Sequence, residues 1–391
     1  METGKKQSYN RSKNNVLCIS YLRQHGSASA TKLAEEFSLS NAALSSILKS
    51  LAEKGIVRES IKNSVRGKGR KQVNYVLNDR FALIAFINIE YGRYHIVFSN
   101  IKEEILIDEL FYLSNYTADI YEAIANEIMR LLHLDEFHGV PLKQIVIAVA
   151  GLVNTKDGKV HSYLLENRFF EGRKWTDKIK RRFGGCDVII GNDMNLAMFG
   201  EIQHGAAKSK GSAILVSNES TIGGAIAVNK RVFLGEDGYA GEFGNMPAFF
   251  EGKMTPLFYF ASIQGLEYHF KTKGFDSILE LFHEDKQAKE YILSTARAMG
   301  NTLYSVSRLL NISSLILSGK ATQFGEEYLA AIQSQCEDPL FKITVMKSKL
   351  GIKAVTLGAI YLGVSTLLER EAQAPNPSFS KAITKTKKSK G

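Results

Sequence analysis

Residues 191–201 read GNDMNLAMFGE and follow the apolar run Val188-Ile189-Ile190. The spacing predicts a strand at 187–190, a polar exit at Gly191-Asn192-Asp193, and a helix through Glu201. That is a strand–turn–helix joint, and in α/β folds ligands gather at the carboxyl ends of such strands. Position alone also allows Asp193 to be the N-cap of the helix.

The sequence on either side repeats one plan. Upstream, 81–90 (FALIAFINIE), 94–98 and 104–112 predict three strands, 119–132 an amphipathic helix, and 143–149 (KQIVIAV) a buried strand ending at Ala150-Gly151. Downstream, 212–216, 224–229 and 231–234 predict three strands again. Helices near 257–270 and 287–310, a strand at 313–317, a helix near 325–335 and helical sequence at 352–369 follow. Two halves that each open with three strands and continue as alternating helix and strand predict a duplicated α/β fold. Its ligands would sit in the cleft between the halves.

Ahead of this body lies a shorter unit, 1–80. Val16, Leu17, Ile19 and Leu22 share one face of a helix over 14–25, which Gly26 stops. Ser29 and Thr31 offer caps for a short helix over 31–37, and Ser40 caps a third over 41–54 that buries Leu44, Ile47, Leu48 and Leu51. Ala34 and Leu39 supply the small and apolar side chains that close helix packing requires, so the pair reads as a helix-turn-helix. The outward residues at the start of the third helix, Asn41, Ala42, Ser45, Ser46 and Lys49, would face the major groove. Strands at 56–60 and 72–77 flank a basic, glycine-bearing loop, and together they make a wing. Its Arg66, Lys68, Arg70 and Lys71 would meet phosphates or a narrow minor groove.

Charge follows the same division. The chain carries a net +10. Residues 1–80 hold 15 Lys and Arg against 6 Asp and Glu, a net +9, and 371–391 hold 5 Lys against Glu371. The segment 81–370 is therefore at −3. A basic head on a mildly acidic body points to a polyanionic partner for the head. Cys18, Cys186 and Cys336 are too scattered for a disulfide framework or a cysteine-rich zinc site. No apolar run reaches the length of a membrane span and the N-terminus has no secretory pattern, so the expected compartment is the cytoplasm, with no membrane partner. The tail 372–391 reads as disordered and basic.

Several segments together resemble the ROK family (repressors, open reading frames and sugar kinases). GNDMNLAMFGE (191–201) resembles its ND-x-N-x-A…GE segment and STIGGAI (220–226) its second phosphate loop. GEDGYAGEFGNM (235–246) resembles its G-x-x-G-x-A-G-E-x-G-H sugar-binding segment, and VAGLVNTKDGKV (149–160) its V-P-G-x-V strand and turn. The resemblance runs over 12–371. A helix-turn-helix head on such a body is the arrangement of the family's repressors, xylose repressors among them. It implies a winged helix-turn-helix at 1–80 followed by a duplicated actin-like, ribonuclease-H-like sugar-kinase fold. The first lobe would be 81–200, with the helix at 352–370 packing back on it, and the second lobe 201–351.

The resemblance also implies a site, and the sequence departs from it in part. Asp193 falls on the family's catalytic Asp and Glu242 on a sugar contact. Asn192 can bond a second hydroxyl, and Asn167 aligns with a sugar-contacting Asn. Asn245 stands where the family has a zinc-binding His, and the cysteine-bearing segment is replaced by AFFEGKMTPLFYF (248–260), so no metal is expected. Phe258 aligns near a Glu that usually contacts sugar, while Phe169, Phe170, Phe249, Phe250, Tyr259 and Phe260 add apolar surface. In the first phosphate loop, D-x-G-x-T has become Asn88-Ile89-Glu90-Tyr91-Gly92. Glu219-Ser220-Thr221 replaces the start of the second loop, and a later glycine turn is reduced to Ser318-Gly319-Lys320. Carboxylates on the phosphate path oppose nucleotide binding.

The expectation is therefore a regulator of carbohydrate-related genes, a homodimer or homotetramer on duplex DNA. It would sense a sugar or sugar derivative through Asn192, Asp193, Glu242, Asn245 and Asn167, with no catalytic residue and no cofactor. An active sugar kinase with an accessory head, and a regulator whose body only dimerises, are the alternatives.

Overall fold

The computed structural model describes residues 2–61, 73–90, 93–112, 120–162 and 168–373. Arg66, Lys68, Arg70, Lys71, Asn167 and the tail beyond Gln373 lie outside the described residues.

The head is α1 (Glu2–His25), β1 (Ser27–Ser29), α2 (Ala30–Glu36), α3 (Asn41–Glu53), β2 (Val57–Ile61) and β3 (Val73–Leu77). Helix α1 starts a dozen residues earlier than the apolar pattern predicts, because Glu, Lys, Gln and Arg favour helix without marking a buried face. Ser29 and Ser40 cap α2 and α3, each hydroxyl accepting a backbone N–H at 3.2 Å. Leu39 N–H donates to Ala34 O at 2.9 Å, closing the turn between the two helices. Leu33, Leu44, Leu48 and Leu51 are fully buried beneath them. The sheet order is β1-β3-β2, so the wing carries a third strand that three small residues, Ser27, Ala28 and Ser29, gave no pattern to predict.

The body's first half is β4 (Leu83–Glu90), β5 (Arg93–Ser99), β6 (Ile105–Tyr112), α4 (Ile120–Leu132), β7 (Leu142–Val149), β8 (Leu152–Val153), β9 (Lys159–Ser162), β10 (Arg168–Glu171), α5 (Gly172–Arg182), β11 (Asp187–Asn192) and α6 (Asp193–Gln203). Its second half is β12 (Ala213–Asn218), β13 (Ile222–Val228), β14 (Arg231–Phe233), β15 (Pro247–Phe250), β16 (Lys253–Pro256), α7 (Phe258–Ala261), α8 (Ile263–Phe270), α9 (Phe275–Glu284), α10 (Lys286–Leu310), β17 (Ser314–Ser318), α11 (Glu326–Gln333), β18 (Thr344–Lys347) and α12 (Lys353–Gln373). The expected helix over 257–270 is two helices. Ser262 ends α7 and caps α8, its hydroxyl accepting from Gly265 N–H at 3.0 Å. Where the family's cysteines would lie, β15 and β16 form a hairpin pairing Phe249 with Met254.

The two five-stranded sheets run β11-β7-β4-β5-β6 and β14-β13-β12-β17-β18. In each, the first strand of the half sits at the centre, with antiparallel partners on one side and parallel ones on the other. This is the duplication that the sequence predicts. Helices α4 and α5 cover one face of the first sheet through Ile124, Ile128 and Ile179. Helices α8 to α11 cover one face of the second. Between the sheets lie α6 and α12. Met198 and Ile202 of α6 pack on Leu215, Ala225 and Ile316 of the second sheet, while Ile360 and Val364 of α12 pack on Ile84, Phe86 and Val146 of the first.

The head is not tethered loosely. One apolar cluster runs from Cys18, Leu22 and Leu48 through Phe81 and Ala82 to Phe86, Ile360 and Leu367. Burial on this scale contributes about 25 cal/mol per Å², so head and first half share one core.

Candidate DNA interface and ligand site

Helix α3 sorts its residues cleanly. Leu44, Ile47, Leu48 and Leu51 face inward, and Asn41, Ala42, Ser45, Ser46 and Lys49 are all exposed on the opposite face. The charge of the head is less evenly available than a count suggests. Arg23 pairs with Glu103, Arg58 with Asp79 at 3.5 Å, Arg80 donates to Glu136 O and His138 O, and Lys54 to Glu371 O. Arg23, Arg80 and Lys54 thereby seat the head on the body, while Arg58 is paired within the head.

The candidate ligand site begins at the β11–α6 joint. Asn192, not Asp193, is the N-cap: its Oδ1 accepts from Asn195 N–H and its Nδ2 donates to Gly151 O, both at 2.9 Å. Adjacent Asn and Asp are both competent caps, so sequence could not rank them. Asp193 is the first helical residue, with Oδ1 accepting from Met194 N–H at 2.8 Å. Burial pushes its carboxyl up to about 7. The Met194 N–H opposes that rise, and the nearby Glu242 and Glu90 carboxylates add to it.

Two glycines let the partners close in. A Cβ on Gly223 would come 2.9 Å from Met194 Cγ, so β13 abuts the first turn of α6. Gly241, at φ +98°, would place a Cβ 2.6 Å from Gly224 O; only glycine lets the 235–242 loop lie this close on β13 and present Glu242. Burial raises the Glu242 carboxyl as well. Asn245 is exposed, its Nδ2 3.5 Å from Glu242 Oε2. The same loop touches the first half: Thr155 N–H donates to Asp237 O at 2.9 Å, and Lys156 Nζ lies 2.8 Å from Glu236 and 3.0 Å from Asp237.

At the β4–β5 turn, Asn88 Nδ2 donates to Glu90 Oε1 at 2.9 Å and Arg93 grips Glu90 Oε2 at 2.5 Å. In the second half, Ile263 N–H donates to Glu219 O and Gln264 N–H to Ser220 O, so this turn caps α8. Burial raises the Glu219 carboxyl, with Lys320 opposing. Zinc finds no fit: Asn245 offers an amide and the β15–β16 hairpin no cysteine thiolate. Among the described residues, no group of three or more His, Cys, Asp and Glu is arranged to hold a metal ion. Phe250 and Phe260 stack at 4.3 Å, while Tyr259 is exposed. These three help line an open groove of about 970 Å³ beside the hairpin.

The sequence reading missed Glu201. It is fully buried, with Oε2 accepting from Ala206 N–H at 2.6 Å and Oε1 from the Ser348 hydroxyl, tying the end of α6 to the turn before α12.

The ROK family profile matches residues 86–365. The chain belongs to the ROK family. Ahead of this ROK body, the MarR family profile matches residues 12–64, so the chain is a MarR-type winged helix on a ROK fold. The DNA-binding transcriptional dual regulator NagC of Escherichia coli strain K12 is 24% identical over 345 residues, covering 82% of this chain and 84% of that protein. The xylose repressor of Bacillus subtilis strain 168 is 22% identical over 388 residues, covering 93% and 98%. Among solved structures, a ROK family transcriptional regulator described as a homolog of the E. coli MLC protein superposes with TM-score 0.77 at 19% identity. It covers 93% of this chain and 98% of that one, which shows the shared fold. No described helix is long and apolar enough to cross a membrane.

Proposed function

We propose that this ROK chain is a DNA-binding transcriptional repressor of carbohydrate-related genes, that its body senses a sugar or sugar derivative, and that the body does not transfer phosphate. The observation that carries the reading is the exposed row Asn41, Ala42, Ser45, Ser46 and Lys49 on a capped helix α3. Side chains of this kind bond base edges and phosphates. The names of the two relatives support it.

For the effector, Asp193 and Glu242 come from the two halves and accept hydrogen bonds from hydroxyls, with Asn192, Asn245 and Asn167 as amide partners. Against phosphotransfer stands the first phosphate turn. Glu90 is held there by Asn88 and Arg93, where a nucleotide phosphate needs free backbone N–H groups. One winged head reads few bases, so a homodimer on two half-sites completes the reading.

The test is selection of random duplexes on the full chain, followed by titration over a range of salt. The reading expects a recovered operator and a steep salt dependence. Replacing Arg66, Lys68, Arg70 and Lys71 with Ala should flatten that dependence by up to about 4 in slope. In parallel, unfolding midpoints are read with D-xylose, D-glucose, N-acetyl-D-glucosamine and ATP-magnesium. A sugar-dependent rise that disappears in Asp193→Ala supports the sensor. Transfer of ATP phosphate to any sugar would sink the non-kinase half of the proposal.

A further inference from the structure

Helix α6 starts at the proposed ligand site and ends beside the β5–β6 turn, one carboxylate away from the head. Asp193 is its first residue and His204 its C-cap, about 16 Å away at 1.5 Å per residue. At that far end, His204 Nε2 lies 3.3 Å from Glu103 Oε2. The other oxygen of the same carboxylate pairs with Arg23 Nε, in the last turn of α1. Glu103 stands in the β5–β6 turn at φ +67°, a conformation that fixes where its side chain starts.

Arg23 is held from a third side. It donates to Ser365 Oγ at 2.6 Å and to Tyr361 O at 3.2 Å, and its guanidinium lies 4.3 Å from the centre of the Tyr361 ring, all on α12. His204 meets the same ring edge-on. One arginine of the head thus touches the sheet turn that holds the end of α6, and the helix that runs beside α6.

Those two helices cannot slide past each other. A Cβ on Gly200 would stand 2.3 Å from Ala354 O, and one on Gly358 1.8 Å from Leu196 O. Backbone lies directly on backbone, with Glu201 and Ser348 pinning the elbow. Packed interiors pass displacement on rather than absorbing it.

We propose that α6, moving as one body with α12, couples the ligand site at Asp193 to the DNA-binding head through the His204–Glu103–Arg23 bridge. The inference rests on the ligand-sensing and DNA-binding reading above and names the route of regulation within one chain. A ligand drawn between Asp193 and Glu242 tilts α6, His204 and α12 shift with it, and α1 is re-aimed together with the α2–α3 unit packed on it.

Coupling between sites is reciprocal, so DNA on the head must be felt at Asp193 without any sugar present. The experiment is amide hydrogen exchange of the full chain, free and bound to a duplex of about 30 base pairs recovered by the selection above, long enough for two half-sites. The expected result is a change of at least about threefold in exchange over residues 193–198 on DNA binding. In Glu103→Gln and, separately, His204→Gln, DNA should still bind while that change disappears. Two mild variants guard against one failing to fold. DNA binding that leaves 193–198 unchanged overturns the inference alone, as does a full change persisting in both variants. Recovery of no duplex overturns the DNA-binding reading and the inference with it.

Discussion

The two halves of the body share a strand order and differ in what they do with the same turn. In the first half, the turn after the central strand is closed by its own side chains, Glu90 held between Asn88 and Arg93. In the second, the corresponding turn is built from backbone: its carbonyls cap α8, and Gly319 lies against Asn218. Topology is carried by dozens of buried residues such as Phe86, Ile147, Leu215 and Ile316. Phosphate chemistry depends on a few exposed ones. The core therefore keeps its shape while the turns take on different work.

The comparison can be broken most forcefully in the second half. Gly319 sits at φ +87° and a Cβ there would meet Asn218 O at 2.4 Å. Gly319→Val should cost more than about 3 kcal/mol in denaturant unfolding. A near-neutral result would mean the turn is plastic. Next in size is the joint between the halves. The Asp193 carboxyl is raised to about 7, so the folded state binds its proton more tightly than the unfolded chain does. Stability is then greatest below the unfolded value near 3.8 and falls as pH rises towards 7. Asp193→Asn should stabilise on the order of 1–2 kcal/mol above pH 7 and make no difference below about pH 4. A pH-independent difference would remove burial as the cause.

Smaller still is the closed turn of the first half. The Glu90–Arg93 pair is partly exposed, so Arg93→Ala should cost only about 0.5–1 kcal/mol by thermal unfolding. A larger loss would make this turn structural, like its counterpart. Least of all, Lys156→Ala removes the contact with Glu236 and Asp237 at the surface; it should leave the unfolding midpoint within error. A clear drop would show that the halves hold together through that loop.

Regular patterns were legible in the sequence: the capped helices of the head, the β11–α6 joint, and both runs of three strands. Their signals are local, as with Leu44, Ile47, Leu48 and Leu51 on one helical face. What stayed hidden is long-range or ambiguous. Nothing near Arg23 announces Glu103 or Ser365, so in a charge count that arginine is simply one of the head's cations. Asn192 and Asp193 could each have been the cap. The β15–β16 hairpin lies in a stretch defined by residues it lacks, and α9 falls between the two helices expected near 257–270 and 287–310, where no element was expected. At the candidate ligand site, Asp193 and Glu242 were singled out through their motifs, while Glu201, in the same motif as Asp193, is an internal tie.

The shared cluster from Leu22 through Phe81 to Leu367 bears on how such a chain can be taken apart. A cut near residue 80 would leave a raw apolar surface on both pieces, so the isolated head should stick to itself and the headless body should need detergent or a substitute partner. Grafting this head onto another protein would require carrying its seat along, the end of α12 and the β5–β6 turn included. Gene shuffling that respects only the linear boundary would yield aggregates, and recombination that leaves the chain soluble should exchange the head together with its seat.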